Sequence, residues 1–285
     1  MNYFKKAIIV PVYKQKFNYL MKFIDSLTCK DHVYFIFTNA FEHLYCKCMY
    51  GFNCNFFILE DYFDKDQIAS LEKKILLPSF KKLFFVSKLI QDYEYIISLD
   101  DDFLIIKEDL LIEACKSFSE NKNFIGGLVE FETSKTINQT SLSVLSHHKH
   151  YTNLKNDEKL NIYYWLSEIP IYERKSTLHF LDFIDIEGKF YEFFCNVDFH
   201  FFDTVAYNYF CVLEYNYTIQ KIDWNFSLED CPLEVWNSVN SNVKKLYSIN
   251  HNIYNNQDIA LLMHTDRKDG QSYKNANKIT DYELQ

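Results

Sequence analysis

Three consecutive acids, Asp100-Asp101-Asp102, follow the apolar run Tyr95-Ile96-Ile97-Ser98-Leu99, and a second apolar run begins at Phe103. Five residues of this type, ended so abruptly, predict a buried strand. On an extended backbone Asp100 and Asp102 face one side and Asp101 the other. Like charges about 5 Å apart repel by roughly 3 kcal/mol at an effective dielectric near 20. A chain keeps such a cluster where water solvates it or where a divalent cation neutralises it. Mg²⁺ and Mn²⁺ favour carboxylate oxygens and share them readily with phosphates. The chemistry expected here is a metal–diphosphate site at the end of a central strand, with a solvated acidic turn as its plain alternative.

The elements that would position this site alternate between strand and helix. Ala7–Tyr13 reads as a buried parallel strand whose carboxyl end is marked by Pro11. Phe17, Leu20, Phe23, Ile24 and Leu27 carry helical spacing. Strands are expected at 33–37, 55–59 and 95–99. Helices are expected at 40–50, at 66–91 with a break at Pro78, and at 108–118. This alternation predicts an α/β fold with a mostly parallel sheet flanked by helices. Ligands of such sheets sit beyond the carboxyl ends of the strands. Tyr13, Asn39 and the Asp cluster all fall there.

The second half is less regular and rich in aromatics. Phe124–Phe131 predicts a strand, 132–160 a polar loop with one helix, and Pro232 and Gln257–Met263 two further helices. Asn196, Asp198 and His200 alternate as on one face of a strand. His147, His148 and His150 read as solvated. The chain is divided as 1–130, a regular α/β half, and 131–285, a more irregular half of the same domain.

Composition excludes several classes. The 285 residues carry a net charge of −9, which argues against non-specific nucleic-acid binding. Only five glycines occur, so neither G-x-G-x-x-G nor a P-loop can be written. A phosphate ligand would need a metal or side chains instead of a glycine cradle. No signal peptide and no transmembrane span are expected, and the eight cysteines are expected reduced in the cytoplasm. His43, Cys46, Cys48 and Cys54 form an H-x-x-C-x-C-x₅-C cluster that matches no common zinc finger. The sequons at Asn138, Asn216 and Asn225 are expected by chance in so Asn-rich a chain.

Ala7-Ile8-Ile9-Val10-Pro11-Val12-Tyr13, followed about ninety residues on by Tyr93-Glu94-Tyr95-Ile96-Ile97-Ser98-Leu99-Asp100-Asp101-Asp102, resembles the nucleotide-sugar glycosyltransferases of the GT-A fold. The opening segment resembles their I-I-V-P-x-Y strand. The acids match their D-x-D motif in one register. The likeness covers roughly residues 5–130 and thins beyond.

The resemblance implies roles. Val12 and Tyr13 would border the nucleotide base. Asn39 stands where many relatives carry an Asp that reads the base, a departure that leaves the base open. Lys82, or else Lys81, would face the base or phosphates. Asp100 would contact ribose or metal-bound water, Asp102 would ligate Mn²⁺ or Mg²⁺, and Asp101 would be structural. Ser227-Leu228-Glu229-Asp230-Cys231-Pro232 resembles the E-D pair near the acceptor of inverting members. Asp230 would then be general base, or alternatively an acidic cap on the next helix. His264 is implied as a third metal ligand, with Arg267 and Lys268 near the diphosphate.

The expected function is transfer of a sugar from a nucleoside-diphosphate sugar, with UDP favoured, to a glycan or lipid-linked glycan acceptor. Inversion follows if Asp230 is the base. The expected setting is bacterial surface polysaccharide synthesis, in the cytoplasm or peripherally at the inner membrane face. A sugar-phosphate nucleotidyltransferase is one rival, although Lys14-Gln15-Lys16 stands where its glycine-rich loop would be. A non-catalytic carbohydrate- or cation-binding protein is the other.

Overall fold

The computed structural model describes residues 5–13, 17–27, 29–101, 103–105, 111, 115, 123–128, 132–155, 163–164, 170–222, 243–248 and 259–264. Its main body is a five-stranded sheet in the order β3-β2-β1-β4-β8. The strands are β1 (Lys6–Pro11), β2 (Val33–Phe37), β3 (Asn55–Ile58), β4 (Tyr95–Ser98) and β8 (Ile171–Glu173). The first four are mutually parallel, and β8 runs antiparallel to β4 with Ile96 opposite Tyr172. The α/β fold with a mostly parallel sheet flanked by helices is therefore as the sequence predicts.

Strand order matters for function. The chain builds from β1 outward through β2 to β3, then returns to place β4 on the opposite side of β1. The gap between the carboxyl ends of β1 and β4 is a topological switch point, where connecting loops diverge and leave a crevice. β1 is buried from Ala7 to Pro11, and Ile96 and Ile97 of β4 are fully buried, as both-face coverage by helices requires.

The helices of the first half are α1 (Phe17–Ser26), α2 (Ala40–Tyr50), α3 (Lys65–Lys73) and α4 (Leu77–Leu89). The expected break near Pro78 lies just before it: Lys74 ends α3, Ile75 has a positive φ of 61°, and Pro78 sits in the first turn of α4, where its missing N–H costs nothing. α4 is buried on most of its circumference, including Phe80, Leu83, Phe84 and Phe85. It lies against the sheet on one side and against later helices on the other.

Those later helices are α5 (Glu132–Ser143), α6 (Tyr151–Lys155), α7 (Arg174–Phe183), α8 (Phe190–Asn196) and α9 (Asp203–Tyr215). Residues 132–160 thus hold two helices rather than the single one expected. The strand face expected for Asn196, Asp198 and His200 is corrected: Asn196 ends α8, and Asp198 folds back to accept from the His200 backbone N–H at 2.9 Å. Aromatic residues that alternate by chance also satisfy a helix when the neighbouring surface is apolar, and Phe194 packs at 5.2 Å on Phe80 of α4. His148 is corrected too, because it is buried and its Nε2 lies 3.0 Å from Glu214 Oε2.

Two smaller sheets complete the description, in the orders β10-β11-β5 and β7-β6-β9. Their strands are β5 (Phe103–Ile105), β6 (Asn123–Leu128), β7 (Tyr163–Tyr164), β9 (Thr218–Ile222), β10 (Val243–Ser248) and β11 (Ile259–His264). Of the helix expected over 257–263, residues 259–263 are therefore in a strand, and 257–258 lie outside the described residues. A short apolar run fits either period, and pairing with β10 and β5 decides it.

Candidate functional site

Side chains from four elements meet at the carboxyl ends of β1, β2 and β4. Val12 continues the parallel ladder, its N–H donating to Ile36 at 2.9 Å, and is fully buried. The next residue, Tyr13, turns its backbone N–H across the switch point to Asp101 Oδ2 at 2.8 Å. That bond ties the end of β1 to the end of β4. Asp101 is fully buried, whereas the Asp100 side chain is 40% exposed. The two acids therefore diverge, as alternation predicts. Asp102, the expected direct ligand, lies outside the described residues.

Consecutive residues on a helix point about 100° apart, so Lys81 and Lys82 of α4 serve different strand ends. Lys81 is fully buried, and its ammonium donates to the Val12 carbonyl at 3.1 Å and to Thr38 Oγ1 at 2.9 Å. It also sits 4.6 Å from the centre of the Tyr13 ring, a cation–π placement. Lys82 pairs with Asp100, Nζ to Oδ1 at 2.7 Å. The sequence offered water or a divalent cation as the neutraliser of the acidic cluster. The chain supplies two ammonium groups of its own as well.

Burial pushes the Lys81 amine down to about 8 from its ordinary 10.5, against the opposing pull of Glu42 and Asp101. Between those values the unfolded chain binds more protons than the folded one, so stability rises with pH there. The contribution is about 3 kcal/mol in full. Buried tyrosines act oppositely: burial, chiefly, holds Tyr13, Tyr172 and Tyr207 well above their ordinary range, which destabilises the fold once pH exceeds about 10. Denaturant titrations between pH 8 and 9.5 should therefore show rising stability in the native chain and a flatter profile in Lys81→Met.

Asn39 is placed at the end of β2, but its side-chain oxygen caps α2 by accepting from Glu42 N–H at 2.9 Å. Glu42 in turn accepts from the Thr38 backbone N–H at 2.9 Å. This reciprocal arrangement satisfies helix-end donors and fixes Thr38 beneath Lys81. The Tyr13 hydroxyl is buried without a hydrogen-bond partner among the described residues.

One residue was missed by sequence reasoning. Asp203, at the first turn of α9, is buried and accepts a short hydrogen bond from the Tyr172 hydroxyl of β8. Burial raises its pKa, partly offset by the charge of Lys82. The Lys82 charge thus bears on Asp203 as well as on Asp100. In the sequence it reads only as an acid at a helix start, and nothing local connects it to Tyr172 or Lys82.

His264 is the last residue of β11. Its neighbour Met263 lies opposite Phe103 in the antiparallel pairing with β5. The register thus carries His264 to the end of the strand that starts directly after Asp102. Glu229 and Asp230, with Arg267 and Lys268, lie outside the described residues. Among the described residues no group of three or more His, Cys, Asp or Glu could hold a metal ion. His43 stacks on Phe56 at 3.8 Å and Cys46 is buried. No described helix is long and apolar enough to cross a membrane.

No family model and no curated protein matches the chain. Solved structures do. Mouse xyloside xylosyltransferase 1, in its apo form, aligns over 76% of this chain and 85% of its own, at 13% identity and TM-score 0.40. Core-mannan synthase A from Aspergillus fumigatus, in its Mn/GDP form, aligns over 78% and 73%, at 12% identity and TM-score 0.42. Mannose-1-phosphate geranyltransferase from Thermus thermophilus aligns over 76% and 73%, at 7% identity and TM-score 0.35.

Proposed function

We propose that this chain is a divalent-metal-dependent glycosyltransferase that takes a nucleoside-diphosphate sugar, with UDP favoured, and passes the sugar to a hydroxyl of a glycan or lipid-linked glycan. The observation that carries this reading is the bridge from Tyr13 N–H to Asp101 across the β1/β4 switch point, with Asp100 and Lys82 beside it. A crevice at that place in a parallel sheet is where nucleotides bind. The I-I-V-P-V-Y and S-L-D-D segments that end there belong to the stretches on which the glycosyltransferase resemblance rests.

In this reading Val12 and Tyr13 border the base, and Asn39 shapes the β2 side of the crevice through its cap on α2. Asp101 is structural. Asp100 and Asp102 hold Mn²⁺ or Mg²⁺, with His264 as third ligand. The half-exposed Asp100 carboxylate and the register that brings β11 beside β5 suit that donor set. A metal held there supplies positive charge to the departing diphosphate. Lys82 adds a second cation at the same edge and orients Asp100.

Residues 1–130 contribute the donor crevice and 131–285 the acceptor wall. Asp230, seconded by Glu229, takes the proton of the acceptor hydroxyl, and the anomeric configuration inverts. Surface polysaccharide synthesis at the inner face of a bacterial membrane is the setting this reading favours. A sugar-phosphate nucleotidyltransferase is the weaker alternative, because the sequence offers no glycine-rich loop after β1.

The test is incubation with a panel of nucleoside-diphosphate sugars and Mn²⁺, scoring release of nucleoside diphosphate. Slow release to water with one donor is expected. Pyrophosphate release from sugar phosphate and nucleoside triphosphate would replace this reading by the alternative, and Mn²⁺ binding without turnover would leave a binding protein. Asp230→Ala should retain donor affinity within about twofold and lose transfer by roughly 10²–10⁴-fold, the range of general-base catalysis. Collapse of donor affinity in that variant would remove Asp230 from the base role.

A further inference from the structure

A groove of about 430 Å³ opens on the side of α4 turned away from Lys82. Its walls are the Tyr62–Phe63 segment, the second half of α4, and the turn from α7 into α8. Lys82 belongs to the strand-end site, and the groove residues Phe84, Ser87 and Lys88 lie about 140–240° round the helix from it, on the opposite side. The volume is within the usual range for small-molecule sites.

The lining is rich in acceptors. Asp182, Glu187 and Glu192 contribute three carboxylates, and Lys88 a single ammonium. That ammonium is held over the rings of Tyr62 and Phe84, at 5.7 and 5.2 Å. The Ser87 hydroxyl already donates to the Phe84 carbonyl at 2.6 Å, so its oxygen is left as an acceptor. Ionised carboxylates accept and cannot donate. A ligand must therefore bring donors of its own.

The groove also contains a flat ring, with the Lys88 ammonium over one of its faces. Tyr62 is 43% exposed. Its ring is braced edge-on by Phe84 and Phe85, at 5.3 and 5.5 Å, so it is fixed before any ligand arrives. The geometry points to a neutral saccharide as occupant: a pyranose stacks its C–H face on Tyr62 while its hydroxyls donate to Asp182 and Glu187. An anionic ligand would meet two uncompensated negative charges. An apolar segment would leave the carboxylates buried without partners. The site binds a glycan chain at a distance from the reacting groups, and it needs neither metal nor nucleotide. It is therefore independent of the strand-end chemistry.

The full chain is titrated, in the absence of nucleotide and metal, with short neutral gluco-, galacto- and manno-oligosaccharides, with spermidine as a cationic probe. One neutral series is expected to bind in calorimetry and to retard the protein in affinity gels. Tyr62→Ala should weaken that binding roughly tenfold, the scale of losing one aromatic anchor. Asp182→Ala, at an exposed position where folding is not at stake, should weaken it roughly fivefold. Donor hydrolysis should be unchanged in both. Binding of spermidine alone, no binding of any saccharide, or saccharide binding that survives both substitutions would each overturn the proposal. Loss of the strand-end activity in Asp102→Asn would leave it untouched.

Discussion

Asp102→Asn should lower turnover by roughly 10³-fold while the midpoint of thermal unfolding stays within about 2 °C of the native chain. The substitution keeps shape and hydrogen-bonding capacity but removes one negative charge from the proposed metal site. Charge stabilisation by a bound cation amounts to several kcal/mol, and about 4 kcal/mol corresponds to three decades in rate. Calorimetry with Mn²⁺ and UDP should lose its heat in the same variant. Full activity in Asp102→Asn would eliminate the metal at this position and with it the catalytic reading of the cluster.

Asp101→Ala should do the reverse. Its carboxylate accepts the Tyr13 N–H and offsets the charge of buried Lys81. Removing it leaves a desolvated donor and a cation with less compensation. A lost partner of a buried polar group costs about 1–3 kcal/mol, and stranded charge adds to that. We expect about 3 kcal/mol in total, a fall of roughly 6–10 °C in the unfolding midpoint. Asp101→Asn retains an acceptor and should lose about half as much. An unaltered midpoint in Asp101→Ala would show that the β1–β4 bridge contributes nothing to folding. Adjacent acids with opposite phenotypes, one kinetic and one thermodynamic, would distinguish a working site from a merely acidic turn.

The parallel sheet was legible because β1, β2 and β4 are short apolar runs whose burial depends on local composition alone. The strand ends were legible for the same reason. The Asp run interrupts the apolar pattern where the β4 ladder stops after Leu99, and Pro11 stands one residue before the last ladder bond of β1, made by Val12. Lys81 and Lys82 were marked as a pair, but adjacent lysines on a helix do not reveal which enters the core. That is decided by the Val12 carbonyl and Thr38 hydroxyl, far away in sequence. Asp203 was invisible because its partners come from β8 and α4. The strand at 259–264 was mistaken for a helix because five apolar residues carry no decisive period, and β5 supplies the answer from about 150 residues upstream. His148 sits in a polar stretch and reads as wet until Glu214 of α9 is seen beside it.

The antiparallel strand β8 draws its residues from beyond position 170, yet it lies against β4 of the opening region. A gene fragment ending at residue 130 would expose β4 as a raw edge and strip the cover from the aromatic back of α4. The portions on either side of residue 130 are thus not interchangeable cassettes. The β4–β8 pairing makes the two portions one folding frame, so a circular permutation or truncation between them should disrupt both.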